Sequence, residues 1–316
     1  MAGTEQVGAP PAPLPVGEGQ PSVARRGGVN AWLLAARPKT LPAAVAPVIV
    51  GTALAVEDER FALPAAVACF AVALLLQIAA NFANDVFDFR RGADTSERLG
   101  PTRVTQSGLI APGRVLLATW LTLGGAAVAG LYLAWRGGWP ILLLGLLAIL
   151  SALAYTGGPY PLGYHGLGDL FVFLFFGLVA VAGTYYVQAR ELSALALAAG
   201  VPVGCPVTAI LVVNNLRDIE TDRAAGKRTL AVRLGRRGAR VEYIGLLAVA
   251  YGALPVLWLA GLLSGWWWLP WLSQPLAVQL VRRVLRETGP ALNAVLAGTA
   301  RLHLVFGVLL SVAVLL

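Results

Sequence analysis

Charge is scarce in this chain. Acidic and basic side chains make up 13% of its 316 residues, about half the share of an average soluble domain, which excludes an ordinary cytosolic enzyme. Cysteine is nearly absent too. The two present, Cys69 and Cys205, both lie inside apolar segments, so a disulfide framework or a thiolate metal site is excluded and both read as small buried hydrophobes. No Ser–His–Asp set, phosphate-loop glycine motif or Cys/His metal spacing occurs. The first thirty residues lack the apolar core of roughly 7–15 residues that a signal peptide requires. Rich in Pro and Gly, residues 1–30 are expected to form a disordered cytoplasmic tail, with one folded unit over 31–316.

What fills the space left by charge is hydrocarbon. Hydrophobic residues reach 58% and the mean hydropathy is +0.73, values of an integral membrane protein. Runs long enough to cross a bilayer, at about 20 residues each, predict spans at 38–57, 62–87, 113–135, 138–156, 168–188, 193–215, 240–262, 264–281 and 292–316. The expected fold is therefore all-α, a bundle of about nine transmembrane helices. The eighth span is short and carries two prolines, although its tryptophans suit an interfacial belt. Positive charge sorts the loops. Twenty Lys and Arg fall on the side of the tail and of the segments after spans 2 and 6, against three (Arg60, Arg136, Arg190) on the other, with Arg301 inside span 9. Cytoplasmic flanks collect positive charge, so the expectation is a multi-pass protein of the bacterial plasma membrane with its N-terminus and the ends of spans 2 and 6 facing the cytoplasm.

Those two ends carry most of the acids. "NFANDVFDFRRGAD" closes span 2 and "NNLRDIETDRAAGKRT" closes span 6, 133 residues later. Asn81 and Asp85 are four apart, as are Asn214 and Asp218, and a further acid follows each pair at Asp88 and Asp222. On a helix turning about 100° per residue, Asn81, Asp85 and Asp88 fall within about 60° of one another, and Asn214, Asp218 and Asp222 within about 80°. Each trio is thus expected on one face. Two parallel pseudo-repeats would bring the trios to one depth around a central cavity. Four clustered carboxylates repel and raise one another's pKa unless a cation intervenes, and Mg²⁺ suits oxygen ligands completed by water and substrate phosphate. The competing reading pairs these acids with Arg90, Arg91, Arg217, Arg223 and Lys227 on a solvated loop. Yet the loops hold more bases than a cation site needs, and a metal-bound diphosphate accounts for both signs, because guanidinium forks match its oxygens.

The motifs "NDVFD" (84–88) and "DIETD" (218–222) resemble those of the UbiA superfamily of intramembrane prenyltransferases. The likeness covers residue 31 to the end. "RPKTLPAAVAPVIVG", "GPTRVTQSGLI", "YTGGPYPLGYHGLGD" and the wide gap from Asp88 to Asp94 are most similar to its 1,4-dihydroxy-2-naphthoate branch. That resemblance implies Mg²⁺ held by Asp85, Asp88, Asp218 and Asp222 and binding the diphosphate of a polyprenyl donor. The allylic C–O bond then ionises and an aromatic carbon attacks. Asn81, Asn84, Asp94, Arg37, Arg103, Asn214 and Lys227 are expected to bind substrate, and Tyr155 to face the allyl cation across its ring. Expected partners are polyprenyl diphosphate, an aromatic acceptor and the lipid bilayer, with no nucleic acid.

Several positions have a second reading. Arg37 also fits a positive-inside flank, with Pro38 starting its helix, and Tyr155 fits an interface residue. Asp169 reads foremost as a helix cap. Arg301, about twelve residues into span 9, is a functional candidate by depth alone, unless it pairs with an acid or a helix carbonyl. An ion-coupled carrier is the rival of another class; it would place its acids near the bilayer midplane, whereas these stay at span ends. Another acceptor, 4-hydroxybenzoate among them, is the rival within the enzyme class.

Overall fold

A computed structural model describes residues 28–94 and 99–316; residues 1–27 of the expected tail, with Arg25 and Arg26, and Arg98 of the loop after span 2 lie outside the described residues, while Val29 and Asn30, expected in the tail, open α1. All regular structure among them is helical. The elements are α1 (Val29–Ala36), α2 (Pro42–Glu57), α3 (Leu63–Arg90), α4 (Pro112–Gly137), α5 (Trp139–Ala154), α6 (Gly168–Ala189), α7 (Ala194–Arg217), α8 (Ile219–Ala224), α9 (Leu230–Leu259), α10 (Gln274–Arg286) and α11 (Leu292–Leu315).

Six of these, α3, α4, α6, α7, α9 and α11, are long and apolar enough to cross a membrane. The first predicted span is α2, joined to α1 across a 52° bend. Arg37 makes that bend in the left-handed region at φ 53°, and Pro38 opens a short 3₁₀ turn after it. Three of the nine predicted spans are shorter than expected, the first of them α2 with 16 residues. The fourth, α5, has 16 residues. The eighth is corrected: over 264–281 the chain forms a 3₁₀ turn, Leu269–Ser273, and then the 13-residue α10, which continues to Arg286. Pro270 and Pro275 sit in the first positions of turn and helix, where a missing N–H costs nothing. Behind them Gln279, Arg282 and Arg283 alternate with buried Ala277, Leu280 and Val284, giving an amphipathic helix in place of an apolar run.

The bundle is organised around α7, the most enclosed of the apolar helices, with 78% of its apolar window buried. Val203, Ala209, Val212 and Leu216 of α7 share a core with Tyr243 and Leu254 of α9 and Leu302 and Phe306 of α11. Small residues let α6 approach it closely. A Cβ on Gly177 would lie 2.6 Å from Gly204 Cα, so a larger side chain there separates the two helices. The other half packs α1, α3 and α4 around Ala35, Phe82, Val86 and Val115, with Val104 and Ile110 of the loop after α3 completing the cluster. α3 and α7 end at the same side, where Asp88 of α3 and Asp222 just beyond α7 share the Lys227 ammonium.

Candidate active site

Between α2, α3, α5, α6 and α7 lies a cavity of about 640 Å³, within the range of small-molecule sites. Most of its wall is apolar, with Leu76, Ile149, Phe171, Phe175 and Phe176 among the lining residues; Asn84, Asp88, Arg103, Asp218, Asp222 and Lys227 crowd its polar end. An aqueous headgroup and a hydrocarbon tail are therefore both accommodated in one space.

The polar end is built from side chains of both helix ends. Asp88 is 2% exposed and accepts three hydrogen bonds, from Arg103 Nη2 at 3.0 Å, Tyr164 Oη at 2.8 Å and Lys227 Nζ at 3.1 Å. Arg103 also pairs through Nε with Asp94, at 3.1 Å. Lys227 stands 4.0 Å from Asp222, so a single ammonium lies between the two acidic motifs. A tight turn at Gly226 delivers it, with φ 71° and the Lys227 N–H donating to Asp222 O at 2.8 Å. Tyr164 lies beneath this ammonium, 4.7 Å from its ring centroid, a cation–π distance. Burial first, then the Asp88 carboxylate beside it, pushes the Tyr164 phenol well above its usual pKa, so it remains a donor to Asp88.

On α7, Asn214, Asn215 and Asp218 line the cavity, and Asp222 follows from α8. The helix breaks at Asp218, φ −98° and ψ 9°, so the second acidic trio is divided between the end of α7, the break and the six-residue α8, and not carried on one continuous helix. Arg217, 1% exposed, grips Asp218 through Nε and Nη2 at 2.8 and 2.5 Å.

Ten of the expected site residues come together here: Arg37, Asn81, Asn84, Asp88, Arg103, Tyr155, Asn214, Asp218, Asp222 and Lys227 all line the cavity. Asp85 does not. Its two oxygens accept from the backbone N–H groups of Val104 and Thr105 at 3.1 and 3.0 Å, pinning the loop that carries Arg103. The residues of α3 that line the cavity are centred near Ala73, Ala80 and Asn84, and Asp85 lies about 120° round the helix from that centre. Asp94 is buried behind Arg103, outside the cavity wall. Asn81 is there for structure: its amide donates to Ala36 O at 2.9 Å and to Thr40 Oγ1 at 3.1 Å, holding the bend that places Arg37.

Tyr155 caps the end of α5 with its ring pressed between two glycines. A Cβ on Gly163 would lie 3.1 Å from the ring, and one on Gly168 3.0 Å from its hydroxyl. Asp169 makes no capping hydrogen bond; both its carboxylate oxygens are buried without one. Arg301 is exposed on the outer side of α11, in line with Val305, Val308 and Val312, and does not reach the cavity. Of the bases in the competing reading, Arg217 and Lys227 do pair with the acids, but in buried surroundings. Arg91 instead donates to the carbonyls of Thr156 and Gly158 and Arg223 pairs with Glu220. Tyr164 and Asn293, absent from the sequence expectations, join the network, and Arg217, named only among the loop bases of the competing reading, becomes one of its centres. Only the "PYPLGYHGLGD" segment hinted at the first.

Do these residues suit a divalent cation? Among those described, no three acidic, His or Cys side chains form a closed cage. However, the Lys227 ammonium already occupies a position between Asp88 and Asp222, with Asn84 and Asp218 on the same wall. An open set of one or two carboxylates, left to be completed by water and phosphate, is what Mg²⁺ accepts. The donors fit.

Residues 44–313 match the model of the UbiA prenyltransferase family. A 1,4-dihydroxy-2-naphthoate octaprenyltransferase of Mycobacterium tuberculosis is 44% identical over 259 residues, 82% of this chain and 85% of that protein. The Escherichia coli protein of the same name is 41% identical over 267 residues, 83% and 87% of the two chains. A UbiA homolog from Archaeoglobus fulgidus, solved bound to GPP and Mg²⁺, superposes with a TM-score of 0.64 at 15% identity, covering 90% of this chain and 99% of that one. The chain belongs to the UbiA prenyltransferase family and shares its all-helical membrane fold.

Proposed function

We propose that this chain transfers a polyprenyl group from a polyprenyl diphosphate to 1,4-dihydroxy-2-naphthoate, releasing CO₂ and diphosphate and forming demethylmenaquinol, the reduced form of demethylmenaquinone. The observation that carries the chemistry is Lys227 standing between Asp88 and Asp222 at the head of a largely apolar cavity. Names borne by relatives at 41–44% identity over most of their length support the acceptor.

Asp88, Asp218 and Asp222, with Asn84 and Asn214, would hold Mg²⁺, which when bound supplies positive charge to a departing diphosphate. The chain's own cations do related work. Lys227, Arg103 and Arg37 all face the cavity, and fixed donors aimed at developing negative charge favour cleavage of the allylic C–O bond, whose electron pair leaves with the diphosphate. Tyr155 presents its ring to the allylic cation. Water would quench that cation, and the apolar wall excludes it. A ring carbon of the naphthoate then forms the new C–C bond, and the carboxylate departs as CO₂, returning its electrons to the ring. Asp85 and Asn81 serve this arrangement indirectly, by holding the Arg103 loop and the Arg37 bend.

The same reading completes the topology. Nine membrane-embedded helices, counting short α5 and the turn–α10 unit, form two parallel pseudo-repeats whose acidic ends face the cytoplasm of a bacterium, as the charge bias favours. Membranes containing the protein, given labelled polyprenyl diphosphate and Mg²⁺, should convert dihydroxynaphthoate to a product lighter by CO₂ and heavier by one prenyl chain. Prenylation of 4-hydroxybenzoate in preference to the naphthoate would overturn the acceptor assignment, and no product from either would overturn the reaction.

A further inference from the structure

Arg217 is the largest fully buried side chain among the described residues, yet it is not part of the cavity wall. In a regular helix, residues i and i+1 point about 100° apart and do not face one another. Arg217 meets Asp218 because the helix breaks between α7 and α8, which frees the acid from the helical register. A carboxylate at such a break has several accessible orientations, and the guanidinium fork selects one by holding both oxygens, at 2.8 and 2.5 Å. The same fork reaches Asn214 Oδ1 at 2.8 Å. Two oxygen donors of the second motif are thus aimed by one buried cation.

The fork is itself held. Its remaining nitrogen, Nη1, donates to Asn293 Oδ1 at 2.7 Å, and the Asn293 amide donates onward to Leu99 O at 2.9 Å. Leu99 begins the described part of the loop that Asp85 pins to α3 and that supplies Arg103 to Asp88. A path of hydrogen bonds joined by the loop backbone from Leu99 to Thr105 therefore runs from the first acidic motif, through its loop, to Asn293 on α11 and on to the second. Asn293 carries the crossing, and its two amide functions match the two bonds, one acceptor and one donor.

We propose that Arg217 and Asn293 are positioning residues: Arg217 fixes Asp218 and Asn214 toward the cavity, and Asn293 sets Arg217 from the loop of the opposite motif, so that the two halves present their oxygens to one Mg²⁺–diphosphate headgroup at a fixed separation. This rests on the function proposed above. Neither residue touches substrate. Their effect is on the affinity of the headgroup site and not on the acceptor.

The test uses the full-length protein in detergent and measures the Mg²⁺ concentration at which geranyl thiodiphosphate, whose C–S bond resists ionisation, raises the melting temperature. Asn293→Leu keeps the volume and removes both hydrogen bonds; Asn293→Ser, smaller and polar, is run beside it so that a misfolded leucine variant does not end the experiment. Arg217→Lys keeps the charge and loses the fork. Each should raise the half-saturating Mg²⁺ concentration by about tenfold, the size of one lost hydrogen bond to a charged group. The KM for the aromatic acceptor should stay within about twofold, and excess Mg²⁺ should restore kcat. Variants that fold, lose kcat at all Mg²⁺ concentrations and bind the analogue like the wild type would overturn the positioning role alone. A wild type that does not bind the analogue with Mg²⁺ would overturn the functional reading beneath it.

Discussion

Replacing Asp85 by asparagine separates a loop anchor from a metal ligand. Both Asp85 oxygens accept backbone N–H groups, from Val104 at 3.1 Å and Thr105 at 3.0 Å, and the side chain is 1% exposed. Asparagine retains one acceptor oxygen and turns an NH₂ group toward the other N–H, leaving a buried donor facing a donor. A hydrogen bond to a charged acceptor contributes about 1.5–3 kcal/mol, and an orphaned buried donor costs about 1–3 kcal/mol. The loss of one bond, the weakening of the other and the orphaned N–H together give about 2–4 kcal/mol. For a chain of this size about 1 kcal/mol moves the melting temperature by roughly 2 °C, so Asp85→Asn should melt about 4–8 °C lower in detergent. Activity at a permissive temperature should fall, because the released loop carries Arg103 away from Asp88. The Mg²⁺ concentration for half-maximal activity should stay near that of the wild type. A variant with an unchanged melting temperature and a strongly raised Mg²⁺ requirement would refute the anchor and restore Asp85 to the metal site.

Asp88→Asn and Asp222→Asn, the acids on either side of Lys227, should each lower kcat/KM by about 10²–10³ and raise the Mg²⁺ requirement, measured by product formation across a Mg²⁺ series; a loss under tenfold in either would exclude it from the headgroup site. Tyr155→Phe, which keeps the ring between Gly163 and Gly168, should retain activity within a few-fold, whereas Tyr155→Ala should lose one to two orders of magnitude, about the worth of a desolvated cation–π contact; equal losses would assign the role to the hydroxyl. Tyr164→Phe removes the 2.8 Å bond to Asp88 and should cost up to about tenfold in kcat/KM. The Tyr164 pKa is raised by burial and by Asp88, so its contribution to stability is fully present below the ordinary phenol value of about 10 and is lost as the pH rises toward its own higher value. Melting temperatures should accordingly fall more steeply above pH 10 in the wild type than in Tyr164→Phe, and parallel declines would contradict that environment.

Much of this was visible in the residues. Long apolar runs placed six of the nine expected spans near observed long helices and a seventh on the bent α1–α2 pair, since a bilayer admits little besides helix and hydropathy reports that constraint directly. The acidic motifs marked the two ends that meet. The helical spacing puts Asn81, Asp85 and Asp88 in one sector, and two of them do line the cavity, but a helix at a cavity mouth has a second set of neighbours, and the loop over residues 99–111 covers the flank on which Asp85 lies. The same applies to Asn81, whose amide satisfies the Ala36 carbonyl left open by the bend at Arg37. Polar residues on one side of a helix share a direction; their partners decide whether they serve chemistry or architecture.

The residues not seen in advance share a cause. Arg217 looked like one of many bases on a positive-inside loop, a statistical signal that says nothing of any single arginine. It lies on the buried face of α7, and the break at Asp218 lets the acid meet it; nothing in "NNLRDIETD" announces a break, since every residue there tolerates helix. Asn293 has no motif around it, and its partners stand 76 and 194 positions away in the chain. Tyr164 reaches Asp88 across a separation of 76. A contact between distant segments is fixed by how the bundle packs, and hydropathy reports the existence of spans without their azimuth. Motifs therefore reveal the groups that line the cavity and are proposed to touch substrate, whose chemistry restricts their type and spacing. The groups that aim them are restricted only by reach, so they emerge once helix ends are brought together in space.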